Sequence, residues 1–197
     1  MPAITAIVPC AGKGRRFGAP YPKELHCIAP GHTLLDRALA PLVHLATTGY
    51  ELRVVAVIGA DRHYTVERLR RYSSRFQLLM VFQSQLEDGL TGAVGDALPL
   101  CEGSVLLVLP DQFFDWTEKR NPLVYSCGLL VEVPFVVLAA RCTDLRLLRR
   151  EGALRVDEGA QAPTVLAAEE KPVRPSYFNA VWAVLARIMH CGLAGVA

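Results

Sequence analysis

The chain has 197 residues, 52% of them apolar, and a formal net charge of +2. That length suits one domain with a sizeable core, and so small a net charge excludes broad binding to nucleic acid or a membrane surface through bulk electrostatics. No apolar run approaches the roughly 20 residues of a membrane span, and no charged-then-apolar secretion signal opens the chain, so the expected compartment is the cytoplasm.

The first predicted element is the apolar segment from Ile4 to Pro9, a buried strand. It runs into Ala11-Gly12-Lys13-Gly14-Arg15-Arg16-Phe17 and on to Pro22-Lys23-Glu24. Two glycines one residue apart let a backbone turn tightly and present N–H groups to a phosphate chain. Lys13, Arg15, Arg16 and Lys23 set four cations within eleven residues against the single anion Glu24. The GxxxxGK[ST] spacing of a Walker loop is absent, and no third glycine completes a dinucleotide fingerprint. Gly18, Pro20 and Pro22 keep the stretch an extended loop. A phosphate cradle and an ordinary turn with a solvated basic face both fit these residues taken alone.

Thr33 to Thr47 follows as a helix, with Leu34, Leu35, Ala38, Leu39, Leu42 and Leu45 at helical spacing. Leu52 to Ile58 is a Val-rich strand, Arg62 to Ser74 a helix with a basic outer face, and Gln77 to Phe82 a third strand. Asp88-Gly89 opens a helix running to about Leu100, and Val105 to Leu109 is a fully apolar strand. Phe135 to Ala140 is strand-like. Leu154 to Val156 and Thr164 to Ala167 flank an acidic, glycine-containing turn, Asp157 to Gln161, and predict a hairpin leading to Glu169-Glu170-Lys171-Pro172. Ala180 to Cys191 is expected to be a strand turning into a short helix. The apolar tail from Ile188 to Ala197 reads as a contact surface suited to a homodimer. No repeat or linker divides the chain, so a single domain over residues 1–197 is expected, with residues from about 134 to 185 as its hairpin region.

Apolar strands joined by helices predict an α/β fold, a three-layer α/β/α sandwich around a Rossmann-like, mostly parallel sheet. Ligands of such sheets sit at the carboxyl ends of the strands, which singles out residues 10–23, 83–91 and 110–115. Asp111 ends the most apolar strand; an unpaired carboxylate is costly there, and a hard cation such as Mg²⁺ relieves that cost, as a turn hydrogen bond also would. The amide of Gln83 both donates and accepts, which suits a base edge, with Gly89 leaving room for a flat ring. Asp88 before Gly89 reads more simply as a helix cap. Lys171 either binds an acceptor anion as a point charge or pairs with Glu169 or Glu170. Histidines 26, 32, 44, 63 and 190 form no triad with Ser or Cys, and the six cysteines form no CxxC pair. They read as small buried hydrophobes rather than a zinc site or a disulfide framework.

Taken together, these pieces resemble the nucleotidylyltransferases that join a nucleoside monophosphate to a phosphorylated small molecule. The opening is similar to that family's strand, A-G-x-G-x-R and P-K, here Ala11 to Arg16 and Pro22-Lys23. Val81 to Ala93 resembles the base-reading segment of sugar-phosphate members, and Leu107 to Gln112 their metal-aspartate strand, with Pro110 where glycine is usual. Residues 152–172 resemble their hairpin ending in E-E-K-P. The short loop between Gly14 and Lys23 looks like a cytidylyltransferase, whereas the hairpin looks like the sugar-phosphate branch.

The resemblance implies a nucleotidyltransferase fold and Mg²⁺-dependent transfer of a nucleotide, from CTP in the first instance, to the phosphate or phosphonate of a small acceptor. Catalytic roles then fall to Arg16, Lys23 and Lys171. Nucleotide binding falls to Ala11, Gly12, Lys13, Gly14, Arg15, Gln83, Asp88 and Gly89, and Mg²⁺ binding to Asp111. The alternatives are a sugar-1-phosphate thymidylyl- or uridylyltransferase and a catalytically inactive nucleotide-binding module. The last accounts for the lack of any aspartate after Asp157, where the sugar-phosphate branch supplies a second metal ligand.

Overall fold

In the computed structural model the described residues are 2–187 except 13, 15, 16, 143, 152, 160–162, 170 and 174–178. They form two compact units, Met1–Val136 with Leu185–Ala197, and Val137–Val184.

The first unit is built on four parallel strands. β1 (Ala3–Cys10) lies between β4 (Glu51–Ile58) and β6 (Ser104–Leu107), and β5 (Gln77–Phe82) borders β4. β1 and β4 pair in continuous register from Ala3↔Glu51 to Cys10↔Ile58, and β4 and β5 from Arg53↔Gln77 to Ile58↔Phe82. Such runs of Ile, Val, Leu and Ala without alternation belong to strands buried on both faces. Ile7, Val55 and Val57 pack with Ala93, Ala97 and Val105 on one face, and Ala6, Val8, Val54 and Ala56, which point the other way, are equally buried. The expected parallel α/β architecture is what forms.

Local signals explain most boundaries. A short hairpin, β2 (Cys27–Ala29) with β3 (His32–Thr33), precedes α1 (Leu34–Leu45). Thr33 caps α1 reciprocally with Asp36: the Thr33 N–H donates to Asp36 at 2.6 Å, and the Asp36 N–H returns to Thr33 Oγ1, a capping box. α2 (His63–Arg70) ends four residues earlier than the predicted Ser74, in successive turns. α3 (Gly89–Ala97) gives way to a 3₁₀ turn at Leu98–Leu100 because Pro99 has no N–H to continue the ladder. α4 (Pro122–Leu129) has no counterpart in the predicted elements, although Asn121, whose side chain accepts from the Leu123 N–H at 3.0 Å, and Pro122 form a legible helix start. Among the described residues no helix is long and apolar enough to cross a membrane.

The second unit holds most of β7 (Phe135–Arg141), α5 (Leu145–Glu151), β8 (Ala153–Asp157), β9 (Thr164–Glu169) and most of β10 (Asn179–Arg187). The expected hairpin forms: β8 and β9 are antiparallel from Ala153↔Glu169 to Asp157↔Thr164, and the Gly159 N–H donates to Asp157 Oδ1 at 2.9 Å in the turn. β10 pairs with β8 and with β7. α5, also unpredicted, buries Leu148 against Ala153. The end of the predicted strand-to-helix segment, and the proposed contact tail Ile188 to Ala197, lie outside the described residues.

Candidate functional site

The carboxyl ends of β1, β4, β5 and β6 share one edge because the four strands are parallel. At the end of β1, Ala11 is buried and Gly12 exposed. The chain after β4 approaches so closely that a Cβ on Gly59 would lie 3.2 Å from the Ala11 carbonyl oxygen. The Arg62 guanidinium donates to the Gly12 carbonyl. Gly14 takes φ +59°, which glycine adopts without strain, and its carbonyl accepts from the Phe17 N–H at 2.8 Å. Further along, the Tyr21 hydroxyl meets His26 Nδ1 at 3.0 Å, with Phe17 edge-on to both rings. Three of the predicted phosphate ligands, Lys13, Arg15 and Arg16, lie outside the described residues.

A 3₁₀ turn, Lys23–Leu25, follows Pro22 and sends neighbouring side chains into opposite media. Lys23 turns to the sheet edge, where its Nζ stands 2.5 Å from Asp111 Oδ2, just past β6. The proposed metal aspartate and the proposed catalytic lysine, 88 positions apart in sequence, thus meet directly. Gly14 joins them, since a Cβ placed on it would stand 3.8 Å from Lys23 Cβ. Glu24 instead points inward, is 5% exposed, and accepts from the Thr65 hydroxyl of α2 at 2.8 Å. Burial pushes its carboxyl up; its own backbone N–H, Thr65 and Arg62 pull the other way, and Asp111 adds to the rise. Burial likewise raises the Cys10 thiol well above its ordinary range, with Glu24 adding to the effect.

At the end of β5, the Gln83 side-chain nitrogen donates to the carbonyls of Gln85 at 3.0 Å and Gly89 at 2.8 Å. Its oxygen therefore remains the acceptor. Ser84 N–H and hydroxyl donate to Asp96 at 2.8 and 2.9 Å, tying the same loop to α3. Gly89 has φ +57° with ψ −134°, a conformation in practice reserved for glycine. The expected cap is corrected here: Asp88 makes no side-chain hydrogen bond to the helix start. Its Cβ packs instead on Gly92, where an added Cβ would stand only 2.5 Å away. β4 alone separates β5 from β1, so the Gln83 loop and the loop carrying Lys23 leave the same edge of the sheet.

Lys171 belongs to the second unit, where it follows β9 with φ +48°, a rare angle for a lysine. Asp115 is 99% exposed and pairs with Arg37 at 3.3 Å.

For Mg²⁺, the described residues hold no cluster of three His, Cys, Asp or Glu side chains. Mg²⁺ keeps waters and takes one or two carboxylates plus substrate phosphates, so Asp111 alone is a sufficient protein anchor. Next in sequence, the Gln112 side-chain oxygen, a hard donor, is buried with no hydrogen-bond partner. These residues fit the ion.

Sequence reasoning passed over Glu24, Thr65, Gly92 and Asp96 as site-forming residues. Glu24 looked like the counter-ion of a basic loop, and only tertiary packing turns it inward. Gly92 carried a weak signal, as one of three glycines in a nine-residue helix.

No protein-family model matches the chain. Over 60 residues, 30% of its length, it is 47% identical to 2-C-methyl-D-erythritol 4-phosphate cytidylyltransferase of Stenotrophomonas maltophilia, and the match spans 24% of that enzyme. Among solved structures, UDP-glucose pyrophosphorylase complexed with UDP-glucose superposes with a TM-score of 0.75 at 18% identity, covering 94% of this chain and 76% of the other. The inositol-1-phosphate CTP transferase of T. maritima gives a TM-score of 0.68 at 17% identity, over 93% and 70%. The chain has the nucleotidylyltransferase fold. A 60-residue part of it is related in sequence to a cytidylyltransferase, and 94% of it superposes on UDP-glucose pyrophosphorylase.

Proposed function

We propose that the protein is a Mg²⁺-dependent nucleotidylyltransferase that moves a nucleoside monophosphate, from CTP by preference, onto the phosphate or phosphonate of a small acceptor. The observation that carries this reading is the 2.5 Å contact between Lys23 and Asp111 at the shared end of β1 and β6. A lysine there neutralises charge at the α-phosphate, and the adjacent carboxylate anchors the counter-ion of the same phosphates. The preference for CTP rests on the 47% identical cytidylyltransferase segment.

An oxygen of the acceptor attacks the α-phosphorus in line, the bond to the bridging oxygen breaks, and pyrophosphate leaves with that electron pair. No covalent enzyme intermediate is needed, so the protein's part is positioning and neutralisation. The amides of Gly12 and Gly14, after Ala11, hold the β- and γ-phosphates with Lys13, Arg15 and Arg16. Glu24, locked to Thr65, fixes the turn that aims Lys23. Gln83, its N–H groups spent on its own loop, offers its oxygen to a donor on the base, with Asp88 and Gly89 forming the wall beside it. Lys171 receives the acceptor's anion. Asp111 would hold Mg²⁺, with Gln112, next to it in sequence, as a further oxygen donor, and the ion would supply charge neutralisation on the phosphates.

A sugar-1-phosphate uridylyl- or thymidylyltransferase is the second reading, favoured by the β8–β9 hairpin that runs into Glu169-Glu170-Lys171-Pro172. Uracil and thymine also present an N–H donor, so Gln83 does not separate them from cytosine. Pyrophosphate release with CTP, UTP, dTTP, GTP and ATP against sugar 1-phosphates, polyol phosphates and small phosphonates decides between the two. Lys23→Ala should lower turnover on the active pair by about 10²-fold or more, the order seen when one preorganised donor is removed. Unchanged turnover in that variant would refute the role of Lys23. Nucleotide binding without pyrophosphate release across the panel would leave a binding module.

A further inference from the structure

A hollow of about 950 Å³ lies between the segment that carries Lys23 and α2. Its walls include Tyr21, Leu25, Cys27, Tyr64, Arg70 and Arg71. Small-molecule pockets span about 300–1,000 Å³, so the space suffices for one. The charge is concentrated: from Arg62 to Arg75 there are five arginines and one carboxylate, Glu67, in a chain whose net charge is only +2.

These arginines are not equally free. Arg68 is committed to Asp36, which it meets through Nε at 2.9 Å, and it also donates to the Gly31 carbonyl. Among the described residues Arg70 pairs with Glu67, at 3.0 Å, with both side chains about two-thirds exposed, and such a pair in water stabilises little. Arg71 has no acidic partner among the described residues. Two planar guanidiniums are therefore available at the hollow, in the fork geometry that grips phosphate with paired hydrogen bonds. Tyr21 and Tyr64 are 43% and 66% exposed, and exposed tyrosine rings on a pocket wall offer a flat apolar face with a polar rim. Except for Tyr21, at the end of the basic loop, none of these residues serves the nucleotide chemistry proposed above.

We propose that this hollow is a second ligand site, for a small phosphate monoester that carries a planar ring. Arg70 and Arg71 take the phosphate and the tyrosine walls take the ring. The site is placed to communicate with the first. Leu25 belongs to the turn that carries Lys23, Tyr21 to the basic loop, and α2 grips that turn through Thr65 and Glu24. A ligand touching Tyr21, Leu25 and α2 together restrains the parts that aim Lys23, and by reciprocity nucleotide binding alters the affinity of the hollow. The coupling rests on the nucleotide reading; the binding does not.

Cys27 provides a local reporter, because it is exposed on the wall while Cys10, Cys101 and Cys127 are buried. Its alkylation by iodoacetamide, followed by peptide mass mapping, is measured with phenyl phosphate or inorganic phosphate present. At ten times its Kd, phenyl phosphate should slow the reaction about tenfold, since only free protein reacts. The R70A/R71A variant should lose that protection while melting normally. Absent protection, or protection that survives in the double variant, would overturn the site; equal protection by inorganic phosphate would overturn the ring. CTP-induced stabilisation is then read with and without phenyl phosphate. A shift supports the coupling, and no shift overturns it. If CTP gives no stabilisation at all, the nucleotide reading falls, while the Cys27 result still decides the hollow.

Discussion

Two glycines three residues apart in α3 set up a discriminating pair of substitutions. In a helix interior, Gly→Ala gains about 0.5–1 kcal/mol from reduced backbone freedom in the unfolded chain. An added Cβ at Gly95 meets nothing within 4 Å, so Gly95→Ala should keep that gain and raise Tm by roughly 1–4 °C for a chain of this size. At Gly92 the same carbon would stand 2.5 Å from Asp88 Cβ, 3.2 Å from Gln83 Nε2 and 3.4 Å from the Gln85 carbonyl oxygen. Carbon atoms prefer about 3.5–4.0 Å, and Asp88 Cβ, fixed to the backbone, cannot rotate away. The loop must shift by about 1 Å, and overpacking of this kind costs about 1–3 kcal/mol, which exceeds the helix gain. Gly92→Ala should therefore be less stable than Gly95→Ala by roughly 1–3 kcal/mol in urea unfolding.

The displaced atoms belong to the loop assigned to the base. Moving the Gln83 amide off Gly89 and Gln85 frees it to rotate, and loss of one well-placed hydrogen bond, about 1–1.5 kcal/mol, raises the nucleotide KM about tenfold. Gly95→Ala should leave that KM unchanged. If Gly92→Ala matches Gly95→Ala in both urea midpoint and nucleotide KM, then neither the clash nor the role of the loop is as described. A loss of stability with unchanged nucleotide KM would keep the packing argument and remove Gln83 from the base site.

Asp111→Asn should abolish metal-dependent turnover, and turnover that still responds to Mg²⁺ in that variant would refute the assignment of Asp111. Lys171→Ala should raise the acceptor KM far more than the nucleotide KM; equal effects on both would place Lys171 elsewhere. Asp36 governs the acid limb of stability. Burial disfavours its charge, yet hydrogen bonds from Arg68, Thr33 and Tyr72 hold its carboxyl at about 2 instead of the ordinary 3.8. Its contribution is complete above about pH 4 and is lost as the pH falls toward 2. Asp36→Asn should cost about 1–3 kcal/mol at neutral pH and flatten the decline below pH 4; an unaltered acid limb in urea melts at stepped pH would refute this.

The fold was legible where periodicity and breakers agree. β5 matches the predicted Gln77 to Phe82 residue for residue, and α1 begins where Thr33 and Asp36 form a reciprocal cap. Boundaries slipped where tertiary context decides: Leu98 to Leu100 keep helical apolarity but coil tightly around Pro99. α4 went unpredicted because Leu123, Ser126 and Cys127 bury only a narrow stripe, too short for a clear period, leaving Asn121-Pro122 as the sole signal. α5 is a single seven-residue segment with arginines on both sides of Leu148, the pattern of a solvated turn until Ala153 covers it.

The site divides differently. Lys23 and Asp111 were legible separately, as a cation after a glycine loop and a carboxylate at a strand tip, and parallel pairing of β1 with β6 brings them together. Glu24 was not legible, because nothing in Pro22-Lys23-Glu24 says which charge faces water. The answer comes from α2, whose Thr65 supplies the one hydroxyl that makes a buried carboxyl tolerable at that turn. A buried glutamate thus fixes the backbone from which the adjacent lysine reaches the sheet edge. The chemistry proposed for Lys23 accordingly depends on a residue that touches no substrate, and on a helix whose sequence advertised only a basic outer face.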